Sequence, residues 1–369
     1  NKRRRTKNNW ENVKMMNGDY TKKRMVSIII LNYNGEKFLE NCLESIIRET
    51  NQSYEIIVVD NNSPDKSGEK FSKKYQKCNF ILNKKNVGVS EGLNIGIRNA
   101  RGKFVVLLNN DLIVAPKWLE HLFDAHEIYG NGLYQPKFLK MNDRTILDSA
   151  GNLINIFGFG FSREKGKKDI LQYNSIEEIG FAAGTCLFCS KKIFDKVGLF
   201  DEKLFAYNED LDLGWRAKLL NYKSYYVPKS IVYHHGSAQW KWSGEKFYLL
   251  ERNRWIVLLS NYNIKTILKL LPSLLIIEMV LLVFFTKKRM LKKKLRSYGG
   301  IIQFTNHIRR RRKQINKLKN VNDDEIFKSF CCAIETPLEV SKTEGIEKFN
   351  KLLKILGNLA GYYKIKNNT

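Results

Sequence analysis

The stretch VSIIILNYNG, residues 26–35, decides how this 369-residue chain is read. Its first six residues form a nearly continuous β-branched run, the pattern of a strand buried on both faces of a parallel sheet. A turn follows at 32–35. Residues 38–48 then place Phe38, Leu39, Cys42, Leu43, Ile46 and Ile47 on one helical face. The unit recurs. YEIIVV at 54–59 ends at Asp60, before the turn residues Asn61, Asn62, Ser63, Pro64 and Asp65. A short strand at 80–82 and a helix over 89–100 lead to FVVLL at 104–108, which runs into Asn109, Asn110 and Asp111. Pro116 opens another helix that continues to about Tyr129. Alternation of this kind predicts an open, doubly wound α/β sheet.

Ligands of such sheets bind beyond the carboxyl ends of the strands. Three strand ends carry polar residues here: Asn32 to Asn34, Asp60 to Asn62 and Asn109 to Asp111. Any one of them reads as a turn. The three together predict a site. Neither G-x-x-x-x-G-K-[ST] nor a G-x-G-x-x-G after the first strand is present, so the phosphate-loop and dinucleotide readings fail. Gly88, Gly92 and Gly96 recur in NVGVSEGLNIGI, a glycine packing face or a place where backbone approaches a ligand. The small residues beside Asn86 and Asn94 favour the ligand.

Taken in order, ILNYNG, VVDNNSPD, NVGVSEGLNIGI, LLNND, GLFDEKLFAYNEDLDLGWRAKLLNY and VPKSIVYHHGSA cover about two hundred residues from Val26. The ordered set resembles the family 2 glycosyltransferases, and within them the rhamnosyltransferase-type branch. The resemblance implies a GT-A fold and an inverting transfer from a nucleotide-diphosphate sugar. It implies that Asn32 and Tyr33 flank the base, that Asp60 accepts a base N–H, and that Asn86, Gly88 and Asn94 approach the ribose and diphosphate. Asn109, Asn110 and Asp111 occupy the family's DxD segment, with Asn109 in place of the first Asp and able to bond the ribose. Asp111 then ligates a divalent cation, Mg²⁺ or Mn²⁺, which suits an oxygen-rich site shared with a diphosphate.

His234 and His235 end a strand and point to opposite faces, so one of them faces the site. The resemblance favours His234, as a metal contact. Asp210 matches the family's general base, with Glu209 orienting it or touching the acceptor. Both acids, with Asp212, also suit the N-terminus of the helix running to Leu220. Gly184 and Thr185 fall on the acceptor side, Trp215 either walls that side of the site or simply packs, and the weakly periodic stretch 141–180 reads as an acceptor-gating loop. The implied acceptor is a lipid-linked or polysaccharide glycan of the cell envelope.

The formal net charge is +27, with a net of +7 in residues 1–24 and +14 in residues 279–320. Nucleic-acid binding would need basic residues interleaved with stacking aromatics or a reading helix, and the basic runs are flanked by an aliphatic segment instead, so nucleic acid is not expected as a partner. A non-catalytic scaffold of the same fold is opposed by the joint presence of Asp60, Asp111, Asp210 and His234. Six cysteines at irregular spacing do not form a secreted disulfide framework, and the lone C-x-x-C of Cys186 and Cys189 lacks a second pair. No apolar core follows the basic head, so it does not read as a secretory signal.

The uncharged part of the apolar stretch after the catalytic motifs, Leu270 to Thr286, reaches about 26 Å as a helix, short of a hydrocarbon core of about 30 Å. Glu278 interrupts it. Shallow insertion or a re-entrant hairpin is therefore expected over a full span. The basic runs behind it suit an anionic membrane surface and place the enzyme on the cytoplasmic side, peripheral or monotopic. The expected organisation is a basic extension (1–24), a GT-A domain (25–243), an apolar and polybasic helical module (244–320) and a helical tail (321–369).

Overall fold

A computed structural model describes residues 25–236, 243–334 and 344–361. The basic extension 1–24 lies outside the described residues. In chain order the elements are β1 (Val26–Asn32), α1 (Leu39–Glu49), β2 (Tyr54–Asp60), α2 (Ser67–Lys74), β3 (Asn79–Leu82), α3 (Gly88–Asn99), β4 (Phe104–Asn109), β5 (Leu112–Val114) and α4 (Trp118–Tyr129). Then come β6 (Gly132–Lys140), β7 (Leu147–Ser149), β8 (Asn152–Ile154), β9 (Gly160–Ser162), β10 (Glu177–Ile179), β11 (Cys186–Ser190), α5 (Lys192–Val197), α6 (Glu209–Leu219) and β12 (Lys223–His234). The remainder is helical: α7 (Gly244–Asn261), α8 (Ile264–Lys287), α9 (Leu291–Gln303), α10 (Thr305–Leu318), α11 (Asp323–Phe327) and α12 (Glu344–Leu359).

The main sheet runs β10-β12-β6-β11-β4-β1-β2-β3, with β5 added to β12 and β7 to β6. Its β3-β2-β1-β4 half is parallel, as the repeated strand–helix units predict, and β11 enters antiparallel to both β4 and β6. Alternate residues of the β-branched runs serve opposite faces. Ile28, Ile30, Ile56, Val58, Val106 and Leu108 pack with Leu39 and Leu43 of α1 and Trp118 and Leu122 of α4. Ile29, Ile57, Val59, Val105 and Leu107 pack with Leu93 and Ile97 of α3 and Leu213 and Ala217 of α6. Helices therefore cover both faces.

The glycine repeat belongs mostly to this packing. A Cβ on Gly96 would stand 2.3 Å from Ile29 Cγ2, and one on Gly92 would stand 2.5 Å from Leu31 Cδ1. Those two glycines bring α3 down onto β1. The stretch 141–180, expected as a long loop, holds the short strands β7 to β10. All six cysteines are buried thiols.

The C-terminal helices share a core with α6: Leu211 and Trp215 meet Ile256 and Val257 of α7, Leu270 and Ile277 of α8, Ile308 of α10 and Leu353 of α12. Helix α8 is one unbroken element of 24 residues with Pro272 inside it, about 36 Å long, and not a hairpin. Glu278 turns inward. Its carboxylate accepts hydrogen bonds from Arg254 of α7 and from Tyr298 of α9, and Lys294 of α9 stands 2.6 Å away. Glu251 also pairs with both Arg254 and Lys294.

Burial alone would raise the Glu278 carboxyl, but the charges of Arg254 and Lys294 outweigh it and bring it down to about 2. Part of the basic run is likewise internal. Arg311 of α10 binds Asp201 and both carboxylate oxygens of Asp212, and His307 joins it at Asp201.

Candidate active site

Polar residues at the ends of β1, β2 and β4 open onto one cleft of about 410 Å³. Tyr33, Asn61, Asn86, Gly88, Asn109, Asn110 and Asp111 line it from the parallel half, and Gly184, Thr185, Glu209, Asp210 and His234 from the other. Hydrogen bonds tie these cleft residues together. The Asn109 amide donates to the Thr185 carbonyl at 3.0 Å, and the Gly184 amide donates to Asp210 Oδ2 at 3.0 Å. His235 N–H donates to the Asp111 carbonyl at 3.1 Å, tying the end of β12 to that segment.

His234 lines the cleft, while the His235 ring rests on Phe38 with centroids 4.9 Å apart. His234 Nδ1 lies 2.7 Å from Asp148 Oδ2, and its Nε2 lies 3.4 Å from Asp111 Oδ2. Lys165 holds the other oxygen of Asp148 at 2.8 Å. Burial disfavours the charged ring, yet hydrogen bonds to Asp111 and Asp148 outweigh it and push His234 up to about 9. The pocket thus stabilises one positive charge between two carboxylates.

That donor set fits a divalent cation. The Asp111 and His234 donor atoms are near the spacing of neighbouring ligands on an ion with bonds of about 2.1–2.4 Å. Asp148 supplies the outer hydrogen bond that metal-bound histidines commonly carry. Among the described residues no group of three or more His, Cys, Asp or Glu could hold an ion, so a diphosphate and water would complete the coordination.

The acid pair opens α6. Asp210 Oδ1 accepts the Leu211 amide at 2.8 Å and Oδ2 that of Gly184, so both oxygens are oriented by backbone. Burial raises the Asp210 carboxyl, and these amides moderate the rise. Glu209 is also raised, first by burial and then by the charge of Asp210. Its Oε2 has no hydrogen-bond partner among the described residues, an orphan acceptor buried beside the cleft.

The loop before the pair is unusual. Phe205, Tyr207 and Asn208 all adopt positive φ, at 65°, 68° and 64°. Such backbone persists only where its surroundings over-determine it, and here five successive carbonyls are held. Arg252 donates to Lys203 and Leu204, and Asn253 donates to Leu204, Ala206 and Tyr207. The Phe205 carbonyl takes the amides of Val89 and Ser90 at the start of α3. Gly88, with φ +85°, makes room: a Cβ there would be 2.5 Å from that carbonyl. Asn253→Ala strands the carbonyls it caps, at a cost of about 1–3 kcal/mol. A lowered melting temperature is the expected result, and an unchanged one counts against the clamp.

The family model described as Glycosyl transferase family 2 matches residues 27–198. An uncharacterised glycosyltransferase of Methanocaldococcus jannaschii is 30% identical over 216 residues, 54% of this chain and 67% of that protein. This chain belongs to glycosyltransferase family 2. The chain is also 23% identical over 234 residues, 57% of its length and 76% of the relative's, to the N-acetylglucosaminyl-diphospho-decaprenol L-rhamnosyltransferase of Mycobacterium tuberculosis. It spans 58% and 62% of the length of two uncharacterised Rickettsia glycosyltransferases. Its GT-A fold is shared with GalNAc-T7, whose crystal structure holds UDP, GalNAc and Mn²⁺, at a TM-score of 0.53 and 18% identity over 64% of this chain and 48% of that one.

Four of the expected contact residues stand back from the cleft. Asn32 and Asp60 are register partners on β1 and β2, and both are buried. Asn32 Nδ2 donates to Asp60 at 2.7 Å and to Ser67 at 2.8 Å, while its Oδ1 accepts from Asn110 at 2.7 Å. Asp60 is taken up by Ser63 and Asn32. Asn32 braces Asn110 from behind, Asp60 holds Asn32, and neither is among the residues that line the cleft. Asn94 exchanges two hydrogen bonds with the Phe200 backbone and is not among the residues that line the cleft.

Trp215 is fully buried on the far side of α6, edge-on to Tyr262 and Phe330, so it packs and does not wall an acceptor site. Asn61 was expected only as part of the polar strand end 60–62, and Phe38, Tyr207 and Asp148 were not named for the site. The first three line the cleft, and Asp148 sits behind His234.

Proposed function

We propose that this enzyme moves a sugar, rhamnose or another hexose, from a nucleotide-diphosphate donor to a lipid-linked or polysaccharide glycan, with inversion at the anomeric carbon. What carries the reading is one cleft lined both by Asp111 with His234 and by Glu209 with Asp210. Tyr33, Asn61, Asn86, Asn109 and Asn110 bind the nucleotide, and the loop at Gly184 and Thr185 faces the acceptor. Asp111 and His234 hold Mg²⁺ or Mn²⁺, which when bound offsets the charge developing on the departing nucleoside diphosphate.

Asp210 accepts the acceptor hydroxyl's proton as that oxygen bonds to the anomeric carbon and the carbon–diphosphate bond breaks. Glu209, with its orphan oxygen, orients the hydroxyl. Residues 25–243 form the transferase unit in this reading, and 244–320 hold it at the cytoplasmic face of the membrane, where a lipid-linked acceptor resides. The decaprenol-linked substrate in the name of the mycobacterial relative supports that acceptor class.

A panel of nucleotide-diphosphate sugars tests the assignment. At least one is expected to be slowly hydrolysed in the presence of Mg²⁺ or Mn²⁺, and chelation or Asp111→Asn is expected to suppress the reaction. Absence of both binding and hydrolysis across the panel would overturn it.

A further inference from the structure

We infer that α8 lies flat in an anionic membrane surface, with the face made by Ile264, Leu268, Leu271, Leu275, Met279 and Val283 turned into the lipid, and that it does not cross. The inference rests on the proposed membrane location and not on the transfer chemistry.

The six side chains recur every three or four residues, which places them on one side of the helix. They are 38% to 59% exposed, whereas Leu270, Leu274, Ile277 and Phe285 on the other side are 2% exposed or less. The row extends about 29 Å along the axis. Scattered apolar residues are normal on a surface, but an unbroken row of this length marks an interaction site.

Charge identifies the occupant. Lys265 is exposed near the beginning of the row, and Lys287, Lys288, Arg289 and Lys292 are exposed past its end. The one acid of α8, Glu278, faces inward. A second copy laid on this face in either direction would bring cations against cations with no acid on the helix to meet them. Anionic headgroups meet them directly, and the aliphatic row between enters the acyl region, as in other interfacial helices.

Crossing is opposed by the inner face. Glu278 is bound to Arg254, Lys294 and Tyr298, and Ser273 Oγ donates to the Leu356 carbonyl of α12 at 3.3 Å. A spanning α8 would carry Glu278 into hydrocarbon away from its cations.

Flotation of the full chain with vesicles of phosphatidylcholine, with and without phosphatidylglycerol, tests the inference. Wild type is expected to float with phosphatidylglycerol vesicles and to be released by alkaline carbonate. The variant carrying Leu271→Gln, Leu275→Gln, Met279→Gln and Val283→Gln is expected to partition at least ~10-fold less. Nucleotide-sugar hydrolysis without vesicles, unchanged in that variant, shows that it is folded.

Undiminished flotation of the four-residue variant would overturn the apolar seat and leave adsorption through charge. Resistance to carbonate would overturn the flat orientation. Self-association of wild type through this face, without flotation, would assign the row to a second copy and overturn the inference. Failure of wild type to bind any vesicle would remove both the seat and the membrane location, while the hydrolysis assay still judges the chemistry.

Discussion

Asp210→Asn is expected to abolish sugar transfer while nucleotide binding stays near the wild-type level. The amide keeps the side chain's shape and one acceptor oxygen for the Gly184 or Leu211 amide, so the start of α6 is retained. What it loses is the capacity to take a proton, worth about 10²–10⁴ in rate for a general base. Steady-state turnover beside nucleotide titration reads the two effects separately, and full transfer activity in the variant would sink the assignment.

The pH profile carries the same information. Burial raises both carboxyls, and the charge of Asp210 raises Glu209 further. The base must be ionised to act, so activity falls as pH drops through the pair's apparent pKa. That acid limb is expected above the ordinary carboxylate range of about 4.

Glu278→Ala is expected to destabilise the fold by about 3–5 kcal/mol, because two buried cations lose a shared counter-ion. Lys294 is fully buried and Arg254 is 1% exposed, so neither reaches water to compensate, and Glu251 alone remains to both. Thermal or urea unfolding at neutral pH measures the loss. Its pH dependence has a definite sign. The Glu278 carboxyl is depressed from 4.5 to about 2 in the folded chain, so its contribution is complete above 4.5 and disappears as pH falls toward 2. The gap between wild type and variant should therefore narrow in acid. Equal stability at neutral pH would show that the cluster is not what holds α8 to α7 and α9.

The parallel half of the sheet was legible because three of its four strands, β1, β2 and β4, are apolar runs rich in β-branched residues that end in a turn. The placement of Asp111, Asp210 and His234 in one cleft followed from motif order. Direction of burial was not legible. Asn32 and Asp60 sit at strand ends where ligands bind, yet their register pairing across β1 and β2 turns them toward each other. Trp215 lies on the same short helix as the acids, and only packing against Tyr262 and Phe330 decides which way it faces.

Asp148 is in a stretch without periodicity, so nothing local pointed to its contact with His234. The left-handed loop at Phe205, Tyr207 and Asn208 contains no glycine, and its conformation is imposed by Arg252 and Asn253 more than forty residues later. Counting Lys294 and Arg311 as surface charge overlooked that each is buried against carboxylates.

The pairing of Arg311 with Asp212 also sets a schedule for the growing polypeptide. These partners are 99 residues apart, so on a ribosome adding about 5–20 residues per second the aspartate waits roughly 5–20 s for its arginine. Until then the helix that presents Asp210 lacks one of the two cations at its buried Asp212, leaving Arg216 alone beside it. The order of synthesis thus leaves the buried carboxylate of Asp212 short of one cation until the basic helices have emerged, while Asp210 already has the amides of Gly184 and Leu211.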